Sequence, residues 1–314
     1  MYILMQKLLD AAENFVKENT KTGLANISQD MCDKAQRLLE KMRLYAVCGD
    51  VMGFNRCLIK LYAAIPRSTE NAKIAEFLKR RGFLEYEKEG LEERLNWEQE
   101  FADKVQGAVD AVLKGVRVEN DSKKARIDLL CKQNNITARE ATDEEKSFVR
   151  KHMGGDSHKL LHAWKVENLT TQANLKAYMQ QKNIAETRTL WHGSDTGNFL
   201  SILTGGLTLR KACNGMFGRG IYFAKDFDKS RGYCSVQNSR WRGGNDATAI
   251  LALFDVALGK SLHLDNATCN LYKGSPALDG YDSVWAHKGA HLHRDEFITY
   301  DDASCSISYI VETR

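Results

Sequence analysis

Apolar residues recur at three- and four-residue spacing through the first third of the chain, and beyond it they gather into short, nearly continuous runs. Leu4, Leu8, Ala11, Ala12, Phe15 and Val16 form one stripe, which predicts an amphipathic helix over residues 1–18. Ser28 precedes a second stripe (Met31, Leu38, Leu39, Met42) and is the expected N-cap, because its hydroxyl can accept from a backbone N–H that the first helical turn leaves unpaired. A third helix is expected from Val51 to Ala64, ending at Ile65-Pro66, since proline keeps its predecessor out of the α region. A charged helix is expected over Glu76–Val112, with Leu91, Leu95, Phe101 and Val105 among its apolar positions. Residues 1–115 thus read as an all-α helical-bundle domain whose own residues indicate no chemistry.

A polar, charged stretch then marks a linker at 116–124, and residues 125–314 change character. Leu160–Val166 reads as a strand, and Ala247–Leu258 is apolar enough for a strand buried on both faces. Ser304–Val311 alternates in part, which places Cys305, Ile307, Tyr309 and Val311 on one face. Asn198–Leu203 reads as a short helix stopped by Gly205-Gly206. The expected fold class is α+β, with a second domain rich in antiparallel sheet.

Composition narrows the function classes. The chain has 314 residues, 43% of them hydrophobic and 27% charged, enough for two domains that each bury a core. No apolar run is long enough for a spanning helix, and the N-terminus lacks the pattern of a secretion leader, so an intracellular protein, nuclear or cytoplasmic, without membrane contact is expected. Eight cysteines without a CxxC pair argue for reduced thiols rather than a zinc site or disulfide framework, and no metal is expected. A net charge of +4 is compatible with polyanion contact without requiring it, and Lys79-Arg80-Arg81 and Lys123-Lys124, flanked by acids, read as solvated faces.

Three polar residues of complementary chemistry interrupt the strand-like runs. His192 ends Leu190-Trp191-His192-Gly193-Ser194, where small residues let backbone approach a ligand; a core histidine bonded to backbone gives the same pattern. Gly215-Met216-Phe217-Gly218-Arg219-Gly220 leads directly into a strand carrying Tyr222. Its spacing is not the dinucleotide fingerprint, which excludes a dehydrogenase of that type and suggests a loop that closes over a ligand. Asp226 is the expected cap of a short helix in which Ser230 and Tyr233, three apart, share a face; with Tyr222 they would offer two aromatic rings and a hydroxyl to a flat carboxamide. Glu296 opens Glu296-Phe297-Ile298-Thr299-Tyr300. A carboxylate there is either a surface residue of an edge strand or a group that steadies the cationic transition state of glycosidic cleavage.

Taken in order, Leu-Trp-His-Gly-Ser, Met-Phe-Gly-Arg-Gly-Ile-Tyr-Phe-Ala, Lys-Ser-x-x-Tyr-Cys and Glu-Phe-Ile-Thr-Tyr closely resemble the catalytic domain of the poly(ADP-ribose) polymerase family, over roughly residues 125–314. Ser28–Val112, with Leu-Tyr-Ala-Ala-Ile-Pro ending at Pro66, is more weakly similar to the helical regulatory domain of that family's DNA-activated members. The resemblance implies a split antiparallel sheet and transfer of ADP-ribose from NAD to protein, including the enzyme itself, with a His192–Tyr222–Glu296 triad. It implies that His192 bonds the adenosine-side ribose, that Gly193 and Ser230 hold the nicotinamide carboxamide between Tyr222 and Tyr233, and that Ser194 and Asn198 belong to the NAD-binding set. Glu296 would bond the nicotinamide ribose; products would be polymeric or oligomeric, with single units also compatible. Thr208–Asn214 and Val284–Arg294, where the family carries its donor and acceptor loops, are short here, and no DNA-binding module is seen although a nucleic-acid activator is compatible. A catalytically silent NAD- or ADP-ribose-binding module and an NAD glycohydrolase are the alternatives.

Overall fold

The computed structural model describes residues 2–68, 88–113, 123–209, 214–289 and 291–314. The chain divides into two compact units, Met5–Leu130 and, with the first four residues, Cys131–Arg314. The expected linker 116–124 lies outside the described residues except for Lys123 and Lys124, where a helix spanning Lys123–Gln133 begins. Residues 76–87 of the expected charged helix also lie outside them.

In the first unit the periodic stripes become helices at Tyr2–Asn19, Gln29–Cys48, Val51–Ala64 and Lys88–Leu113. The Ser28 hydroxyl accepts from the Met31 N–H at 3.3 Å, as its capping role requires, and the helix closes on Gly49, whose φ of 69° is left-handed. Helix Gln29–Cys48 packs on Val51–Ala64 and Lys88–Leu113, and the shared core includes Leu39, Met42, Phe54, Leu58 and Val105, all fully buried. Along the first helix Met5 and Leu9 are buried with the expected stripe, whereas Ala11 and Phe15 stay half-exposed. The core also holds a charge: Glu98 is fully buried, 2.6 Å from Arg67 and 2.5 Å from Arg94, with the Tyr62 hydroxyl donating to it at 2.7 Å.

The second unit is α+β. Its strands are β1 (Ile136–Glu140), β2 (Leu160–Asn168), β3 (Arg188–Gly193), β4 (Asn214–Gly215), β5 (Gly218–Arg219), β6 (Ile221–Phe223), β7 (Ala249–Val256), β8 (Ser261–Leu264), β9 (Ser283–Ala286), β10 (Glu296–Thr299) and β11 (Cys305–Thr313). They build a five-stranded sheet in the order β1-β2-β11-β7-β3 and a four-stranded sheet in the order β6-β10-β9-β8, with β4 and β5 as a small hairpin. Every pairing between these strands is antiparallel except β8–β9. Strand β7 is central and apolar on both faces, as its unbroken run predicts. No helix among the described residues is long and apolar enough to cross a membrane.

One face assignment is corrected. Ile307 pairs with Phe254 and Tyr309 with Leu253, neighbouring residues of β7, so Ser308 is the extra residue of a bulge. Cys305 and Ile307 therefore face one way while Tyr309 and Val311 face the other, where they join Trp191, Leu251 and Leu253 in a buried cluster. An extra residue inverts the alternation, and nothing in the local composition marks it.

Candidate active site

The two sheets meet edge to edge at one point. Trp191 on β3 and Ala224, just past β6, exchange backbone hydrogen bonds of 2.8 and 3.0 Å. Trp191 anchors this junction, being fully buried with its indole N–H donating to the His152 carbonyl at 3.1 Å. The next residue, His192, places Nδ1 2.9 Å from the Tyr222 carbonyl. A carbonyl can only accept, so Nδ1 carries the proton and Nε2 is left as the acceptor of a neutral imidazole. Burial lowers the pKa of this histidine, and the bond to Tyr222 opposes that shift in part. Phe223 and Phe254 meet the ring edge-on, each at 5.9 Å.

Gly193 owes its identity to close approach. A Cβ there would lie 1.8 Å from the Ser230 carbonyl oxygen, so only glycine lets the helix Phe227–Arg231 seat against the end of β3. Ser230 is buried and its hydroxyl donates to the Trp191 carbonyl at 3.2 Å, which keeps its lone pairs for an amide N–H. Asp226 occupies the N-cap position without the expected side-chain capping bond and instead lies 3.6 Å from Arg294.

The glycine-rich segment Gly215–Gly220 does not form the expected closing loop. It turns between β4 and β5 with Phe217 buried and Gly218 at φ 75°, and the Arg219 N–H donates to the Leu271 carbonyl at 2.8 Å. This hairpin grips the phenol of Tyr222, whose hydroxyl donates to the Gly218 carbonyl at 2.7 Å and accepts from the Phe217 N–H at 3.0 Å. A Cβ at Gly215 would come within 2.5 Å of that hydroxyl. The apolar side chain of Phe217 draws the turn into the core beneath the sheet.

Glu296 is not on an edge. Strand β10 lies between β6 and β9, and Glu296 is only 6% exposed. Its partner is Lys229, with Nζ 2.7 Å from Oε1 and 3.0 Å from the Arg294 carbonyl that it also bonds. Both side chains are at most one-tenth exposed. The Glu296 charge reaches both phenols: Tyr222 is raised chiefly by burial with Glu296 contributing, and Tyr233 is pushed up to about 12 by burial first and Glu296 second. Tyr233 lies beyond the helix that carries Ser230 and is 43% exposed, with its ring stacked on Trp241.

Ser194 and Asn198 meet through a 2.9 Å bond from the Asn198 amide to the Ser194 hydroxyl. The Asn198 amide oxygen is buried without a hydrogen-bond partner, an acceptor whose cost a ligand hydroxyl or amino group would relieve. Of the loops expected to border a ligand, residues 210–213 and 290 lie outside the described residues. His287, one of three histidines between β9 and β10, pairs with His263 of β8 at 2.7 Å. No group of three or more metal-ligating side chains occurs among the described residues.

Sequence reasoning missed Lys229, Trp241 and the Arg242–Asp195 pair. Lys229 was within reach, since it opens the Lys-Ser-x-x-Tyr-Cys motif, but a lysine beside a serine says nothing of a glutamate sixty-seven positions on. Arg242 clasps Asp195 with bonds of 2.9 and 2.8 Å.

Residues 140–289 match the profile of the poly(ADP-ribose) polymerase catalytic domain, a stretch that takes in every expected site residue except Glu296. The chain is 26% identical over 186 residues to protein mono-ADP-ribosyltransferase PARP3 of Mus musculus, covering 49% of this chain and 33% of that protein. It is 26% identical over 206 residues to poly [ADP-ribose] polymerase 1 of Gallus gallus, covering 55% and 20%. Against protein mono-ADP-ribosyltransferase PARP3 of Homo sapiens the identity is 32% over 135 residues, covering 42% and 24%. The matched stretch spans no more than about a third of the length of these relatives.

Proposed function

We propose that the chain is an NAD-dependent protein ADP-ribosyltransferase of the poly(ADP-ribose) polymerase family, whose catalytic-domain profile residues 140–289 match. The observation that carries this reading is the gathering of His192, Tyr222 and a buried Glu296 around the junction of β3 and β6. The orphaned Asn198 oxygen beside Ser194 is the sign that the same region suits a polar ligand such as NAD.

NAD supplies a nicotinamide that departs neutral; the ribose–nitrogen bond breaks with its electron pair on nicotinamide, and the ribose carbon bonds an acceptor oxygen whose proton is lost to water. The chain's residues bind and steady. His192, neutral with Nε2 accepting, takes a hydrogen bond from the adenosine-side ribose. Ser230 accepts from the carboxamide while its own O–H stays donated to the Trp191 carbonyl, and Gly193, whose missing side chain lets the Ser230 backbone pack against it, offers its backbone groups beside that hydroxyl. Tyr222, immobilised by its hairpin, and Tyr233 supply the ring faces. Glu296, only 6% exposed, accepts from the nicotinamide-side ribose hydroxyl and stabilises the cationic transition state. Lys229 holds that carboxylate in one orientation and offsets the cost of burying it.

Acceptors are proteins, the enzyme itself included, and the product is proposed to be oligomeric or polymeric because Glu296 is the residue type of polymerising members. The setting is inside the cell, nuclear or cytoplasmic. Incubation with labelled NAD followed by gel separation tests the transfer and the length of its product. A ladder of labelled protein supports polymer formation, and single shifted bands would give mono-ADP-ribosylation instead. Nicotinamide release without labelled protein would make the chain a glycohydrolase; binding without release would make it a silent module.

A further inference from the structure

The segment from Cys234 to Thr248, between the helix that carries Ser230 and strand β7, is fixed to the end of β3 at two points. Arg242 clasps Asp195 through two bonds. Asp246 accepts from both Ser235 (2.5 Å) and Thr196 (2.8 Å), while Val236 and Asp246 pair across the base of the loop. Inside the turn, the Ser239 hydroxyl accepts from the Gly243 N–H at 2.8 Å. This frame carries Trp241 at its tip. The Trp241 N–H donates to the Gly232 carbonyl at 3.0 Å, and a Cβ on Gly232 would stand 2.8 Å from the indole Cδ1. The indole lies nearly parallel to the Tyr233 ring, at 27° and 6.2 Å between centroids, with the Arg240 guanidinium 4.8 Å from the indole centroid.

Trp241 is 54% exposed and Tyr233 43%, so neither ring is held there by burial in a core. An aromatic ring has two faces. With Trp241 on one of them, the exposure of Tyr233 leaves the other for a ligand. We propose that Trp241 is a positioning residue of the NAD site, a second aromatic layer that fixes the ring of Tyr233 for stacking on nicotinamide. The inference rests on the NAD reading of the site and adds to it a residue, carried on a clamped loop, that governs affinity for the nicotinamide end alone. An unbacked Tyr233, exposed at the end of a five-residue helix, would have rotamer freedom to lose on binding.

The test uses the full chain, with benzamide as a probe of the nicotinamide end and ADP-ribose as a probe of the remainder, each titrated by calorimetry. In Trp241→Ala, benzamide affinity should fall and the KM for NAD rise by about three- to tenfold, the span expected of one aromatic pair. The kcat should stay within about twofold and ADP-ribose affinity should not change, since neither depends on that ring. Trp241→Leu, which keeps apolar bulk without a ring face, should show the same loss, and Trp241→Phe should restore most of it. Unchanged benzamide affinity and KM in the Ala and Leu variants would overturn the proposal, as would an equal loss of ADP-ribose affinity. A wild-type chain that binds neither benzamide nor NAD would instead overturn the NAD reading itself.

Discussion

Glu296 and Lys229 show how much one residue's role depends on its partner. A buried carboxylate is costly alone, and the ammonium 2.7 Å away makes it tenable. In the proposed reaction, Glu296→Gln removes the charge that matters most when the ribose becomes cationic. ADP-ribose transfer should drop at least about a hundredfold with NAD affinity changed only a few-fold; equal losses of rate and binding would count against that role. Lys229→Met strands the carboxylate and should cost about 3 kcal/mol in urea unfolding, whereas a cost below about 1 kcal/mol would mean that water replaces the ammonium. His192 gives a pH dependence. Its folded pKa lies below the unfolded value, so the unfolded chain takes up a proton first as pH falls. Its contribution is therefore complete above roughly pH 6.5 and is lost as pH falls through the folded pKa. Comparing unfolding midpoints at pH 7.5 and 5.5, the His192→Asn variant should lose less stability than wild type; equal losses would show that His192 titrates as if unfolded.

At the scale of elements, helices were legible because their stripes repeat often enough to survive irregular positions. The caps at Ser28 and the stop at Pro66 follow from backbone groups with no other partner. The strands were legible in place but not in register. Ser308 inverts one face of β11 by adding a residue, and only the pairing with β7 reveals it. The Gly215–Gly220 segment is similar, since its glycines suggested mobility while Phe217 and the Tyr222 hydroxyl tie it down. Gly193 carries the element-scale prediction. Gly193→Ala sets a methyl group 1.8 Å from the Ser230 carbonyl, which must push the helix Phe227–Arg231 off β3. Benzamide binding should be lost, with a fall of about 1–3 kcal/mol in stability; binding at wild-type strength would show that the helix can yield.

For the molecule as a whole, two units with separate cores let a ligand act on one of them. Benzamide at about a hundred times its Kd should stabilise the unit that holds it by about 2.7 kcal/mol. Hydrogen exchange in the full chain should then slow across β3, β6 and β10; protection confined to the helices of residues 5–113 would place the ligand elsewhere.

The sequence by itself determined the two characters of the chain, helical then mixed, and the polar residues from which a site is proposed, because periodicity and residue chemistry are local properties. It also held motifs that resemble those of the poly(ADP-ribose) polymerase family, and the resemblance points to His192, Tyr222 and Glu296 without locating them. Only the tertiary structure decided that β3 and β6 touch at Trp191 and Ala224, that Glu296 is interior and paired with Lys229, and that Trp241 backs Tyr233. These are contacts between residues far apart along the backbone, set by strand order and close approach, and no window of neighbouring residues contains them.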